Sequence, residues 1–136
     1  VFMAQFDLND FASYKKHGER VRQMWVAPDE VKNVLLAGDY GVMVREQTVT
    51  NRVASPTKFA EYLLAGLQVI TSENLGDYSK MVENESLGIV YKRENQSLEI
   101  EKTTFEQKTR LNQIALDTFT KESYRKEYQK IIDLYE

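Results

Sequence analysis

Lys58 and Glu61 stand three residues apart in the segment ASPTKFAEYLLAGLQVI (54–70), early in what reads as a helix over 56–65. Ser55 suits the N-cap, Pro56 the first helical position and Gly66 the stop. The amino end of a helix carries partial positive charge, so a lysine in its first turn is poorly placed unless an anion meets it. The plain reading is a surface ion pair worth about 0.3 kcal/mol. Lysine before glutamate is the less favourable order for such a pair. The chemical reading is a polyanion at the helix end. Backbone N–H groups and Lys58 would meet phosphate oxygens, and Glu61, one turn deeper, would accept hydrogen bonds from a ribose diol. On a helical wheel Phe59, Tyr62 and Leu63 turn toward a core. Lys58, Glu61 and Ala65 share another face, where Ala65 keeps the space beside Glu61 small.

The surrounding elements must hold that helix end over a ligand. VFMAQF (1–6) reads as a buried strand, LNDFASYKKHG (8–18) as a short helix and the alternating RVRQMWV (20–26) as a strand. PDEVKNVLLAG (28–38) reads as a helix with Pro28 at its start, an apolar stripe of Val31, Val34 and Leu35, and Gly38 as its stop. YGVMV (40–44) has the continuous apolar character of an interior parallel strand, and REQTVTNRVAS (45–55) is polar and irregular, a loop. QVIT (68–71) and LGIVYK (87–92) read as strands, with a helix from about Gly76 between them. The remainder, from about Thr104, is helical with a break near Thr120. In the final segment Tyr124, Tyr128, Ile131 or Ile132, and Tyr135 recur at helical spacing, a packing stripe rather than chemistry.

Alternating strands and helices with short connections predict an α/β domain: a Rossmann-like parallel sheet with helices on both faces, followed by C-terminal helices. Ligands of such sheets bind beyond the carboxyl ends of the strands. The 45–55 loop leaves that end of strand 40–44 and leads into helix 56–65. Arg45, Asn51, Ser55 and Lys58 are thereby placed near the crevice, and Gly76 and Asp77 also follow a strand's carboxyl end.

The 136 residues fit one domain spanning 1–136, and 42% hydrophobic with 29% charged residues is a globular composition. The net charge of -3 offers no basic excess for nucleic acid. With no cysteine and one histidine, thiolate and histidine-rich metal centres are excluded. No apolar run reaches the roughly 20 residues that span a bilayer. His17 reads as a solvated side chain, and Asp39 as a turn or cap before its strand. No G-x-G-x-x-G, Walker loop or serine–histidine triad is present. The chain opens on Val1 in strand-like residues and reads as a piece of a longer protein.

The 54–70 segment resembles the signature of the C-terminal domain of GT-B glycosyltransferases of the family 4 type, S-P-x-K-x-x-E-Y-x-x-x-G-x-P-V-I. Ser55, Pro56, Lys58, Glu61, Tyr62, Gly66, Val69 and Ile70 match it. LLAGDYGVMVRE (35–46), NLGDYSKMVENESLGIVYK (74–92) and FTKESYRKEYQKII (119–132) resemble its flanks, so the likeness runs from about residue 30 to the end. It implies the donor-binding half of a two-domain enzyme that moves a sugar from a UDP- or GDP-linked donor to a glycan or lipid-linked acceptor. Retention, metal independence and no cofactor beyond the donor substrate are implied. So are an inactive isolated fragment, a role in cell-envelope or polysaccharide synthesis, and a cytoplasmic location open to peripheral attachment at the inner membrane face.

By the same resemblance Glu61 binds the ribose hydroxyls and the Ser55–Lys58 turn lies along the nucleotide and diphosphate. MWVAP (24–28) holds the base through Val26. The sequence departs from the pattern at two places. Val53 stands where many members carry a sugar-facing glutamate, eight positions before Glu61, and Gln68 stands where proline is usual. The first departure leaves the sugar contact to Asn51 or Arg52 and the catalytic residues unassigned. A binding module without transfer activity, or an α/β interaction domain without a nucleotide, therefore stays open.

Overall fold

In a computed structural model of the chain, the residues described are 3, 20–46, 48–53, 57–92 and 97–134. The expected strand 1–6, helix 8–18, His17 and Tyr135 lie outside them, as do Ser55 and Pro56. The chain divides into two units, Val1–Asn33 and Val34–Glu136.

In the first unit, the alternation over 20–26 does not make a strand. Only Gln23 carries a bridge, and Trp25, at 69% exposure, stands in solvent with Arg22 and Met24. Alternation becomes a strand only where one of its faces is buried, and here neither set of side chains is.

The elements run α1 (Val31–Leu36), β1 (Tyr40–Met43), α2 (Val49–Val53), α3 (Thr57–Leu64), β2 (Gln68–Ser72), α4 (Gly76–Asn84), β3 (Gly88–Tyr91), α5 (Phe105–Phe119) and α6 (Arg125–Asp133). Helix α1 begins three residues past Pro28, which sits in a turn with Asp29 and Glu30. The segment 45–55, expected to be a loop, contains the short helix α2. The helix is possible because Thr48 Oγ1 accepts the Asn51 N–H at 3.1 Å and so caps it.

The second unit is built on a parallel sheet ordered β1-β2-β3. Gly41, Val69 and Gly88 lie in one row across it, and Met43, Thr71 and Val90 in another. Helix α3 crosses from β1 to β2 and α4 from β2 to β3. Both lie on the same face, where Phe59 of α3 meets Tyr78 of α4 with ring centroids 4.8 Å apart. The sequence pattern predicts helices on both faces; these two crossover helices share one. On the opposite face Val42, at 60%, is exposed.

Phe59 and Leu63 are fully buried with Met43, Val69, Leu75, Val82 and Leu87. Helix α5 packs along α3 and adds Leu111 and Ala115 to the same cluster. Burying side chains of the size of Phe59 and Leu63 contributes about 1.5–3 kcal/mol each. Two glycines permit this packing. A Cβ on Gly41 would lie 2.2 Å from the Tyr62 ring, and Gly66 ends α3 at φ +74° with Lys108 of α5 against it.

Helix α5 starts on a capping box: Thr104 Oγ1 accepts the Gln107 N–H, and Gln107 Oε1 accepts the Thr104 N–H. Helix α6 differs from expectation. Tyr124, Tyr128, Ile131 and Ile132 do form a stripe, but all are exposed and the helix buries no residue.

Candidate functional site

The crevice expected at the carboxyl end of the sheet begins where β1 stops. Beyond Met43 the ladder between β1 and β2 ends. Ser72, at the last position of β2, then takes over through its side chain. Its Oγ accepts the Arg45 N–H at 2.8 Å and donates to the Arg45 carbonyl at 2.9 Å. Arg45 is half-buried there. One residue on, the Glu46 carbonyl accepts the Thr48 N–H at 2.9 Å and the Asn51 side-chain amide at 2.8 Å. Asn51, expected to face a ligand, thus uses its amide to close its own loop, because the carbonyl of Glu46 lies within its reach. Helix α2 rests beside α4.

Helix α3 presents Lys58 and Glu61 to solvent, as the wheel predicts. Neither forms an ion pair with another described residue, so the plain surface-pair reading finds no support among them. Ala65, expected on the same face, is instead buried, because α3 ends at Leu64 and the chain turns inward there. Tyr62 lies half-buried over Gly41. Burial, and secondarily the charge of Glu61, raises its phenol above the ordinary value of 10.0. No hydrogen bond among the described residues joins Lys58 or Glu61 to Arg45 or Asn51.

On the far side of the crevice α4 begins without a side-chain cap at Leu75. The turn before it is tight: Asn74 and Gly76 both have φ of 56°. Asp77 is exposed and 4.0 Å from Lys80. Val26 belongs to the first unit, and Ser55 and Pro56 are not described.

The opposite end of the sheet, where the strands start, holds the charged groups that are tied down. The Asp39 carboxylate accepts the Thr103 N–H at 3.2 Å, and its carbonyl accepts the Thr103 hydroxyl at 3.1 Å. The Asp39 carbonyl also accepts the Gln68 N–H at 2.9 Å, while the Gln68 side-chain amide donates to Tyr40 and Thr103. Proline at 68 would supply neither donor, so glutamine has a physical reason to stand there. Lys108 Nζ donates to the Gly38 carbonyl at 2.6 Å and stands 3.6 Å from Asp39. Arg110 donates to the Glu85 and Ser86 carbonyls, and Asn112 to the Leu64 carbonyl. Side chains on two flanks of α5, Lys108 and Asn112 on one and Arg110 on the other, therefore occupy the carbonyl-rich ends of α1, α3 and α4. Cations are favoured at such ends.

Ser72 and the three α5 donors escaped the sequence reading. A Thr-Ser pair closing an apolar strand is a signal for the first. Nothing local marks the second group, since their partners lie 70, 25 and 48 positions away. Among the described residues no group of three histidine, cysteine, aspartate or glutamate side chains is placed to hold a metal. Among them no helix is long and apolar enough to cross a membrane. No protein-family model, curated protein or solved structure matches the chain.

Proposed function

We propose that the carboxyl end of the sheet binds a nucleoside diphosphate. On that reading the chain is the donor-binding half of a GT-B-type glycosyltransferase with a Rossmann-like domain. The supporting observation is α3 itself. It leaves the carboxyl-end side of a parallel sheet with Lys58 in its first turn and Glu61 one turn on, both exposed and without an ion-pair partner among the described residues. A lysine in that place is favourable once a diphosphate meets the helix end, because ammonium and backbone N–H groups act on one anion. Glu61 then holds the ribose diol. During transfer the same groups stabilise the charge that develops on the leaving diphosphate. Arg45 borders the site and Asn51 shapes its loop; for the diphosphate the resemblance names Ser55 and Pro56 as well, and for the base Val26.

The full reaction moves a sugar from a UDP- or GDP-linked donor to a glycan or lipid-linked acceptor held by a further domain. The protein works in the cytoplasm, at or near the inner membrane face, in envelope or polysaccharide synthesis. A second reading, nucleotide binding without transfer, is favoured by one feature: Val53 occupies the place of the sugar-facing glutamate.

Calorimetric titration with UDP, GDP and ADP tests the common part of both readings. Binding of at least one nucleotide that weakens in Glu61→Ala is expected. No binding by any of them at millimolar concentration would refute both.

A further inference from the structure

We infer that Ser72 is the positioning residue of this site, setting where the chain leaves the sheet at Arg45 and hence where Glu46 and α2 stand at the carboxyl end of the strands. The inference rests on the nucleotide reading for its ligand and on geometry for the rest. Ser72 is 3% exposed, yet its hydroxyl is spent on neither its own strand nor solvent. It makes a two-way bond to the backbone of Arg45, at 2.8 and 2.9 Å, across 27 positions of sequence. Ser72 lies one position and Arg45 two positions beyond the last β1–β2 ladder pair, Met43 with Thr71. The ladder would otherwise leave the Arg45 N–H and carbonyl without partners at the point where the chain turns away, and such groups need them.

From there the fixation passes outward. Glu46, the next residue, offers its carbonyl to Thr48 and Asn51, and Thr48 caps α2. A single buried hydroxyl thus ties the chain at Arg45, where it leaves β1, to the middle strand. A site on loops gains accuracy only from such anchoring to a fixed element. Ser72 itself touches no ligand; it acts through the backbone of Arg45.

The test compares the wild-type chain with Ser72→Ala and with Ser72→Thr, which keeps the hydroxyl. Amide hydrogen exchange is followed at Arg45 and at Val69, which bonds to Leu87 inside the sheet, and UDP and GDP are titrated in parallel. In Ser72→Ala, Arg45 exchange is expected to rise about tenfold with Val69 unchanged, and nucleotide affinity to fall about tenfold. Ser72→Thr is expected to restore both. Unchanged Arg45 exchange would overturn the inference, as would equal loss of protection at Val69, which marks general destabilisation. Local loosening with unaltered affinity would overturn its link to the ligand. A wild-type chain that binds neither nucleotide refutes the function reading instead, and the Arg45 and Val69 exchange rates then still decide whether Ser72 anchors the loop.

Discussion

The two ends of the parallel sheet use charged side chains in opposite ways. At the amino end, Lys108, Arg110 and Asn112 of α5 each reach a carbonyl at the close of another helix, and Asp39 is bound by Thr103 and Lys108. Groups there are partnered, and Lys108 and Asp39 are partly withdrawn from solvent as well. At the carboxyl end, Lys58 and Glu61 are exposed with no ion pair to a described residue, and α4 starts without a side-chain cap. Neither end is more charged in any simple sense. What separates them is that the amino-end charges answer the helix dipoles from within the fold, whereas Lys58 opposes the dipole beside it. A charge that is unfavourable in the free fold becomes favourable when an anion arrives. The contrast gives the amino end a stabilising role, and the proposed nucleotide would give Lys58 at the carboxyl end the anion it lacks.

Substitutions can break this division, and the largest effect should come from the residue the ends share. Phe59 is fully buried among α3, Tyr78 of α4 and Phe119 of α5. Phe59→Ala is expected to cost about 3–5 kcal/mol in urea unfolding, since a large cavity opens in the core. Next, Glu61→Ala should weaken nucleotide binding about tenfold by calorimetry while stability stays within about 0.5 kcal/mol of wild type. Lys108→Met should do the reverse. It loses about 1 kcal/mol of stability through the missing bond to Gly38, and nucleotide affinity is unaltered. A change in affinity for Lys108→Met equal to that for Glu61→Ala would abolish the distinction.

Tyr62 supplies a smaller, pH-dependent effect. Its phenol titrates above 10.0 in the fold because burial, and then Glu61, disfavours the charged form. The folded state therefore holds its proton at pH values where the unfolded chain has released it. The stabilisation is complete below the ordinary phenol value and is lost as pH rises from there through the raised one. Urea midpoints should be flat through neutral pH and fall above about 10. Tyr62→Phe should reduce that fall. The smallest effect is expected from Asp77 and Lys80, an exposed pair 4.0 Å apart, whose replacement should leave midpoints within experimental scatter.

The carboxyl end of the sheet was more legible in sequence than the amino end. Lys58, Glu61 and the stop at Gly66 follow from local rules of helix charge and capping, and so do the start of α4 at Gly76 and the break after Phe119. The capping box at Thr104 is equally local. Gln68 shows the limit. As a departure from a pattern it marks no role, but the fold uses its backbone N–H and its side-chain amide together. Ser72, Lys108 and Asn112 were invisible because each is defined by a carbonyl or N–H brought close by tertiary structure. The segment 20–26 and helix α6 mislead in the other direction. Both carry a regular period, yet the large apolar side chains in them, Met24 and Trp25 in one and Tyr128, Ile131 and Ile132 in the other, stand exposed, and periodicity alone does not name the surface that buries it.

The most direct test is to follow the backbone amide resonances of the chain during addition of UDP and, separately, GDP. The account predicts saturable shifts from at least one of them, concentrated at Arg45, Asn51, Lys58 and Glu61, with Lys108, Arg110 and Asn112 still. No shifts at millimolar nucleotide, or shifts centred on the α5 residues, would contradict it.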